Sequence, residues 1–159
     1  MWRRTVISGV GALCVVVLAA GVAQAAVSAP DTSSEAAFTQ RIGAERSGQG
    51  LGPVRVAADL VDVARRHAED MGNQHRLFDD QNVGNEVQNW QAVGENSGTG
   101  PSVASVDQAF MDSPPHRAII LDPRFTEVGV GVVWTGNTMW VAEVFRQPLN
   151  SSSPASPPP

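Results

Sequence analysis

The only cysteine in this 159-residue chain, Cys14, lies in an apolar N-terminal run, and its place there dictates how the rest of the chain can be held together. Arg3 and Arg4 precede an almost uncharged stretch over residues 6–23, and Ala23-Gln24-Ala25 then offers small residues at both positions that determine cleavage. This is the pattern of a secretory signal peptide, residues 1–25, cleaved after Ala25. The run is about eighteen residues, the lower limit for crossing a bilayer, so an uncleaved signal segment is the one membrane attachment to be expected. Cleavage takes Cys14 away. What remains has no cysteine, although a secreted protein enters a compartment that permits disulfides, so a hydrophobic core must carry its stability.

About 130 residues suffice for one such domain and not for two. The formal charge is −5, and losing Arg3 and Arg4 lowers it to −7. A polybasic surface is absent, which argues against nucleic acid or anionic membrane as a partner. All eleven basic residues are Arg, a composition more in keeping with a GC-rich genome than with a particular chemistry.

After a polar leader, residues 26–34, Thr32-x-x-Glu35 has the form of a capping box that opens a helix running to about residue 46. A second helix is predicted over residues 57–71, where Leu60, Val61, Ala64, Ala68 and Met71 recur at helical spacing. On this reading His67 sits at the edge of the apolar stripe, as a partly exposed surface histidine. Residues 72–101, rich in Gly, Asn, Gln and Asp, read as one long irregular segment, and a loop of that length is usually functional. Val103, Val106, Phe110 and Met111 predict a third helix, which Ser113-Pro114-Pro115 should stop. Residues 128–134 and 139–145 read as an antiparallel hairpin joined at 135–138, with Trp134 and Trp140 packing the sheet. The Ser- and Pro-rich residues 149–159 form a tail that is disordered by composition.

Within this frame His75, Glu95 and His116 recur at intervals of about twenty residues, each beside turn-forming or amide-bearing neighbours. Two neutral imidazoles and one carboxylate can hold Zn²⁺ with one position left for water, and that water would be acidic enough to act near neutral pH. Without metal, the same groups can form a hydrogen-bonded cluster that fixes the loop to the third helix. Their spacing alone does not choose between the two. Ser97 and Ser113 lie near these histidines in sequence, but neither has the strand-turn-helix setting of a nucleophile elbow.

The ordered set Gly94-Glu95-Asn96, then Phe110-Met111-x-Ser113-Pro114-x-His116-Arg117, Ile120-Leu121, Phe125-Thr126-Glu127-Val128-Gly129-Val130-Gly131 and Val144-Phe145 resembles the bacterial secreted branch of the CAP superfamily. This superfamily comprises the cysteine-rich secretory proteins, antigen 5 and pathogenesis-related 1 proteins, also called SCP domains. The resemblance implies an α+β fold over residues 35–148, a three-layer α-β-α sandwich with a small antiparallel sheet, and a solvent-reachable cavity lined by His and Glu. Carried over residue by residue, it makes His75, Glu95 and His116 the cavity ligands of Zn²⁺ or another divalent cation. This chain lacks the usual fourth ligand; Glu86, Glu127 and Glu143 are the substitutes, with Glu86 preferred.

The function this implies is that of a secreted or cell-envelope binding module, monomeric, whose partner is an extracellular protein, a lipid or a small ligand. Two alternatives stand beside it. One is a metal-dependent, peptidase-like hydrolase that uses the same cavity, with Glu95 or Glu86 as general base. The other is a carrier of lipid or another apolar ligand, with a groove lined by Phe38, Trp90 or Phe110.

Overall fold

The structure is a computed structural model that describes residues 25–149; the expected signal segment up to residue 24 and the tail from residue 150 lie outside the described residues. Helix α1 spans Thr32–Gly48. Its cap is Asp31 rather than Thr32, because the Asp31 carboxylate accepts from the backbone N–H groups of Ser33 and Ser34, both at 3.2 Å. The preceding leader lies along the sheet, with Ser28 N–H donating to the Trp134 carbonyl and Asp31 N–H to that of Val132.

After the two-residue strand β1, Arg55–Val56, helix α2 runs over Ala58–Gln74. Its buried stripe is Leu60, Val63, Ala64, His67, Ala68 and Met71. The short α3, Val83–Glu86, leads into β2, Trp90–Gly100; then come α4, Val103–Asp112, and α5, Pro114–Ile120, and the hairpin β3, Glu127–Thr135, with β4, Thr138–Pro148. The strands form one sheet in the order β1-β3-β4-β2, with β1 parallel to β3 and the other pairs antiparallel. Helix α2 covers one face, over Val133, Trp140, Ala142 and Val144, while α1, α4 and α5 cover the other, over Val128, Val130, Val132, Val141 and Phe145. Three layers result, as the family resemblance implies.

Helix α2 sits unusually close to β3. A Cβ on Gly129 would stand 2.1 Å from the carbonyl carbon of Leu60, and one on Gly131 would stand 2.3 Å from that of Ala64. On the other face the guanidinium of Arg46, almost wholly buried, donates to the carbonyls of Gly52, Ile120, Asp122 and Phe125. It thereby ties the end of α1 to the turn after α5.

Beyond the cap of α1, the structure departs from two further expectations of the sequence. Residues 90–100 are an eleven-residue strand, not part of a long loop. The glycines that suggested a loop lie on the strand face against which α4 and α5 press: a Cβ on Gly98 would meet the Phe110 ring at 2.6 Å and Val106 at 2.8 Å. Ser113-Pro114-Pro115 ends α4 as expected, but it also begins α5, because proline is well suited to the first turn of a helix.

Candidate functional site

Side chains alternate along β2, so Glu95 and Asn96 leave the sheet on opposite faces. Glu95 turns toward α2 and meets His67, which the buried stripe of that helix points inward. The Glu95 carboxylate lies 3.0 Å from His67 Nε2, accepts the Ser97 hydroxyl at 2.7 Å, and accepts the Asp80 backbone N–H at 3.1 Å. His67 Nε2 also lies 2.9 Å from the Phe78 carbonyl and 3.1 Å from Ser97 Oγ. A carbonyl can only accept, so Nε2 carries the proton. The Phe78 ring stands edge-on to the imidazole at 5.0 Å, with the Arg76 guanidinium over its face at 4.7 Å. Burial pushes the Glu95 carboxyl above its ordinary value, against the lowering influence of the Ser97 hydroxyl and His67.

His67, Phe78 and Asp80 of this network line a pocket of about 370 Å³ between α2 and the segment leading into α3, together with Arg66, Asp70, Asp79 and Glu86 among others. Four carboxylates face it, and its guanidinium, that of Arg66, is paired to Glu86 at 3.0 Å. The pocket is therefore a region of negative potential.

The structure does not bring His75, Glu95 and His116 together. His75 is the exposed C-terminal cap of α2, with φ 48° and ψ 39°. His116 lies on α5 across the sheet from Glu95, its ring 5.2 Å from that of Phe110. Glu86 answers Arg66, Glu127 is buried between Arg55 and Arg146, and Glu143 lies in the layer of α4 and α5. Among the described residues no group of three or more His, Cys, Asp or Glu is placed to hold a metal ion, so the expected Zn²⁺ ligands do not fit that role here. Equal intervals in sequence became opposite faces in space once residues 90–100 formed a strand.

His67 is the residue the sequence reading undervalued. It is buried, not at a surface edge, and the signal was available: Leu60, Ala64, His67 and Met71 repeat at spacings of four, three and four. Phe38 and Phe110, expected along an apolar groove, are core residues. Trp90 is partly exposed and donates its indole N–H to the Gly84 carbonyl.

The model of the CAP family, the cysteine-rich secretory protein family, matches residues 39–144. The uncharacterized protein YkwD of Bacillus subtilis is 33% identical over 125 residues, covering 70% of this chain, and the chain spans about half, 48%, of that curated relative. An extracellular protein containing an SCP domain from Bacillus anthracis superimposes with a TM-score of 0.66 at 22% identity, over 74% of this chain and 41% of that one. The crystal structure of NaASP2 with Zn²⁺ superimposes with a TM-score of 0.56 at 11% identity, over 73% and 80%. The structural likenesses establish the shared α-β-α fold, and the match along the sequence establishes descent: this chain belongs to the CAP family of cysteine-rich secretory proteins.

Proposed function

We propose that this protein is an extracellular binding module whose pocket above His67 and Glu95 takes a small, positively charged ligand rich in hydrogen-bond donors. The observation that carries this reading is the pocket's lining, in which Asp70, Asp79, Asp80 and Glu86 surround a single guanidinium. A primary amine or guanidinium would find carboxylate acceptors on several sides, each a charge-assisted hydrogen bond. An extracellular location agrees with the signal-like N-terminus and with the description of the Bacillus anthracis protein as extracellular. Among the described residues no helix is long and apolar enough to cross a membrane.

Hydrolysis is the weaker reading on the geometry of the His67 network. A serine nucleophile needs its hydroxyl directed at an unprotonated imidazole nitrogen, with the carboxylate on the other nitrogen. Here the serine and the carboxylate meet the same nitrogen, that nitrogen donates to the Phe78 carbonyl, and the Ser97 proton goes to Glu95.

Calorimetric titration with short diamines, arginine-containing dipeptides, Zn²⁺ and Ca²⁺ as separate arms tests the proposal. At least one organic cation is expected to bind, with affinity reduced about tenfold or more in Asp70→Asn or Asp79→Asn, since each removes a charge-assisted contact of at least about 1.4 kcal/mol. Heats that do not change in either variant, or no binding by any organic cation, would sink it. Binding by Zn²⁺ alone would favour the metal reading instead.

A further inference from the structure

Among the described residues, four buried side-chain polar atoms have no hydrogen-bond partner: Asn96 Oδ1, Asp107 Oδ1, His116 Nδ1 and Glu143 Oε1. Their residues are neighbours between the sheet and the α4–α5 pair, on the face opposite the His67 pocket. Asn96 Nδ2 donates to Glu143 Oε2 at 3.2 Å and to the His116 carbonyl at 3.3 Å. Asp107 is close enough to Glu143 to act on its charge. The orientation of the Asn96 amide is fixed by the His116 carbonyl, which can only accept, so Oδ1 is the atom left without a partner. Asn96 and Glu143 are fully buried and Asp107 is 3% exposed.

We propose that these four atoms form an internal water-binding site that clasps α4 and α5 to strands β2 and β4. The ligand must be small, because the surrounding residues Val106 and Phe110 are packed onto Gly98. It must also donate and accept, since Asn96 Oδ1 and an ionised Asp107 Oδ1 only accept, whereas Glu143 Oε1 carries a proton when that acid is neutral. An anion would face Asp107 and Glu143. A cation would face the Arg41 guanidinium, which is bonded to Asp107 Oδ2 at 3.1 Å, and the cluster offers no set of three ligating residues placed for a metal. Water meets every condition: it is neutral, it presents two donors and two acceptors, and buried waters typically make about three such bonds.

A crystal structure at a resolution that places ordered water tests this directly. One peak is expected at about 2.7–3.2 Å from Glu143 Oε1 and from at least two of the other three atoms, the range of ordinary hydrogen bonds. Glu143→Gln keeps a polar group in the same place and is expected to retain the peak, whereas Glu143→Met is expected to lose or displace it. In solution, magnetisation transfer from water to the backbone amides of residues 96 and 143 is expected in the wild type, so the proposal does not depend on either variant folding. A peak at about 2.0–2.2 Å, the spacing of bound zinc, would overturn the proposal in favour of a metal. Direct bonds among the four atoms, with no peak between them, would overturn it altogether.

Discussion

Glu95 and Asn96 are covalent neighbours that serve opposite layers of the molecule: Glu95 accepts from Ser97 on the α2 face, while Asn96 donates to Glu143 on the face covered by α4 and α5. One peptide unit in β2 thus anchors a polar cluster on each face of the sheet. A change in the pitch or register of β2 would disturb the two together, because side chains alternate with a period of two.

Glu143 is fully buried, and burial, with a smaller contribution from Asp107, pushes its carboxyl from 4.5 up to about 8 against the lowering effect of Asn96. The folded protein therefore holds a proton that the unfolded chain releases. Stability from this group is fully present below about pH 4.5, falls as pH rises toward about 8, and changes no further above it. Glu143→Gln is expected to flatten that decline and to raise stability at neutral pH, by on the order of a few kcal/mol. Urea denaturation from pH 4 to pH 9 measures it, and parallel curves for the two proteins would contradict it.

Ser97→Ala removes the hydroxyl that donates to the buried Glu95 carboxylate. A loss of about 2 kcal/mol is expected, the scale of a hydrogen bond to a charged group, together with a further rise in the Glu95 pKa. Ser97→Thr keeps the hydroxyl and should restore most of both. Carbon-detected NMR titration of the Glu95 carboxyl, with denaturation at pH 7, provides the readouts.

The two glycine contacts should differ in cost. Gly98→Ala pushes on the side chains of Phe110 and Val106, which can shift slightly, and about 1–3 kcal/mol is expected. Gly129→Ala drives a methyl group into the backbone of α2 at Leu60, so its cost should exceed that of Gly98→Ala. Thermal melts of both variants decide the order.

Arg46→Met is expected to cost about 3–5 kcal/mol, because it strips the donors from four carbonyls, of which those of Ile120 and Phe125 are buried. Arg46→Lys should recover only part, since an ammonium on a linear stem cannot reach the same fan of acceptors. Chevron analysis would locate the loss, and wild-type stability in Arg46→Met would refute the role.

Much of the architecture was legible in the sequence. The period of Leu60, Ala64 and Met71 gives α2 its buried face, and the two β-prone runs around residues 135–138 give the hairpin. Strand β2 was hidden because its composition records the helices lying against it: Gly94 and Gly98 are small to admit Ile119, Phe125 and Phe110, which come from distant parts of the chain. Glu95 stands out in the sequence, but its partner in the structure is neither His75 nor His116. Its partner His67 was missed because a histidine among apolar positions reads most simply as an edge residue. His75 was misassigned because its backbone, and not its imidazole, serves the structure: it ends α2 in the left-handed conformation.

Strand β4 lies between β3 and β2, yet among the described elements it comes last in the chain. Until residue 148 leaves the ribosome, β2 and one edge of β3 have no partner for their backbone groups, and neither helix layer has a continuous surface to rest on. Closure of this sheet consequently waits for β4. A chain that stops before residue 138 displays the unpaired edges of β2 and β3 at once, and both are open to pairing with other chains.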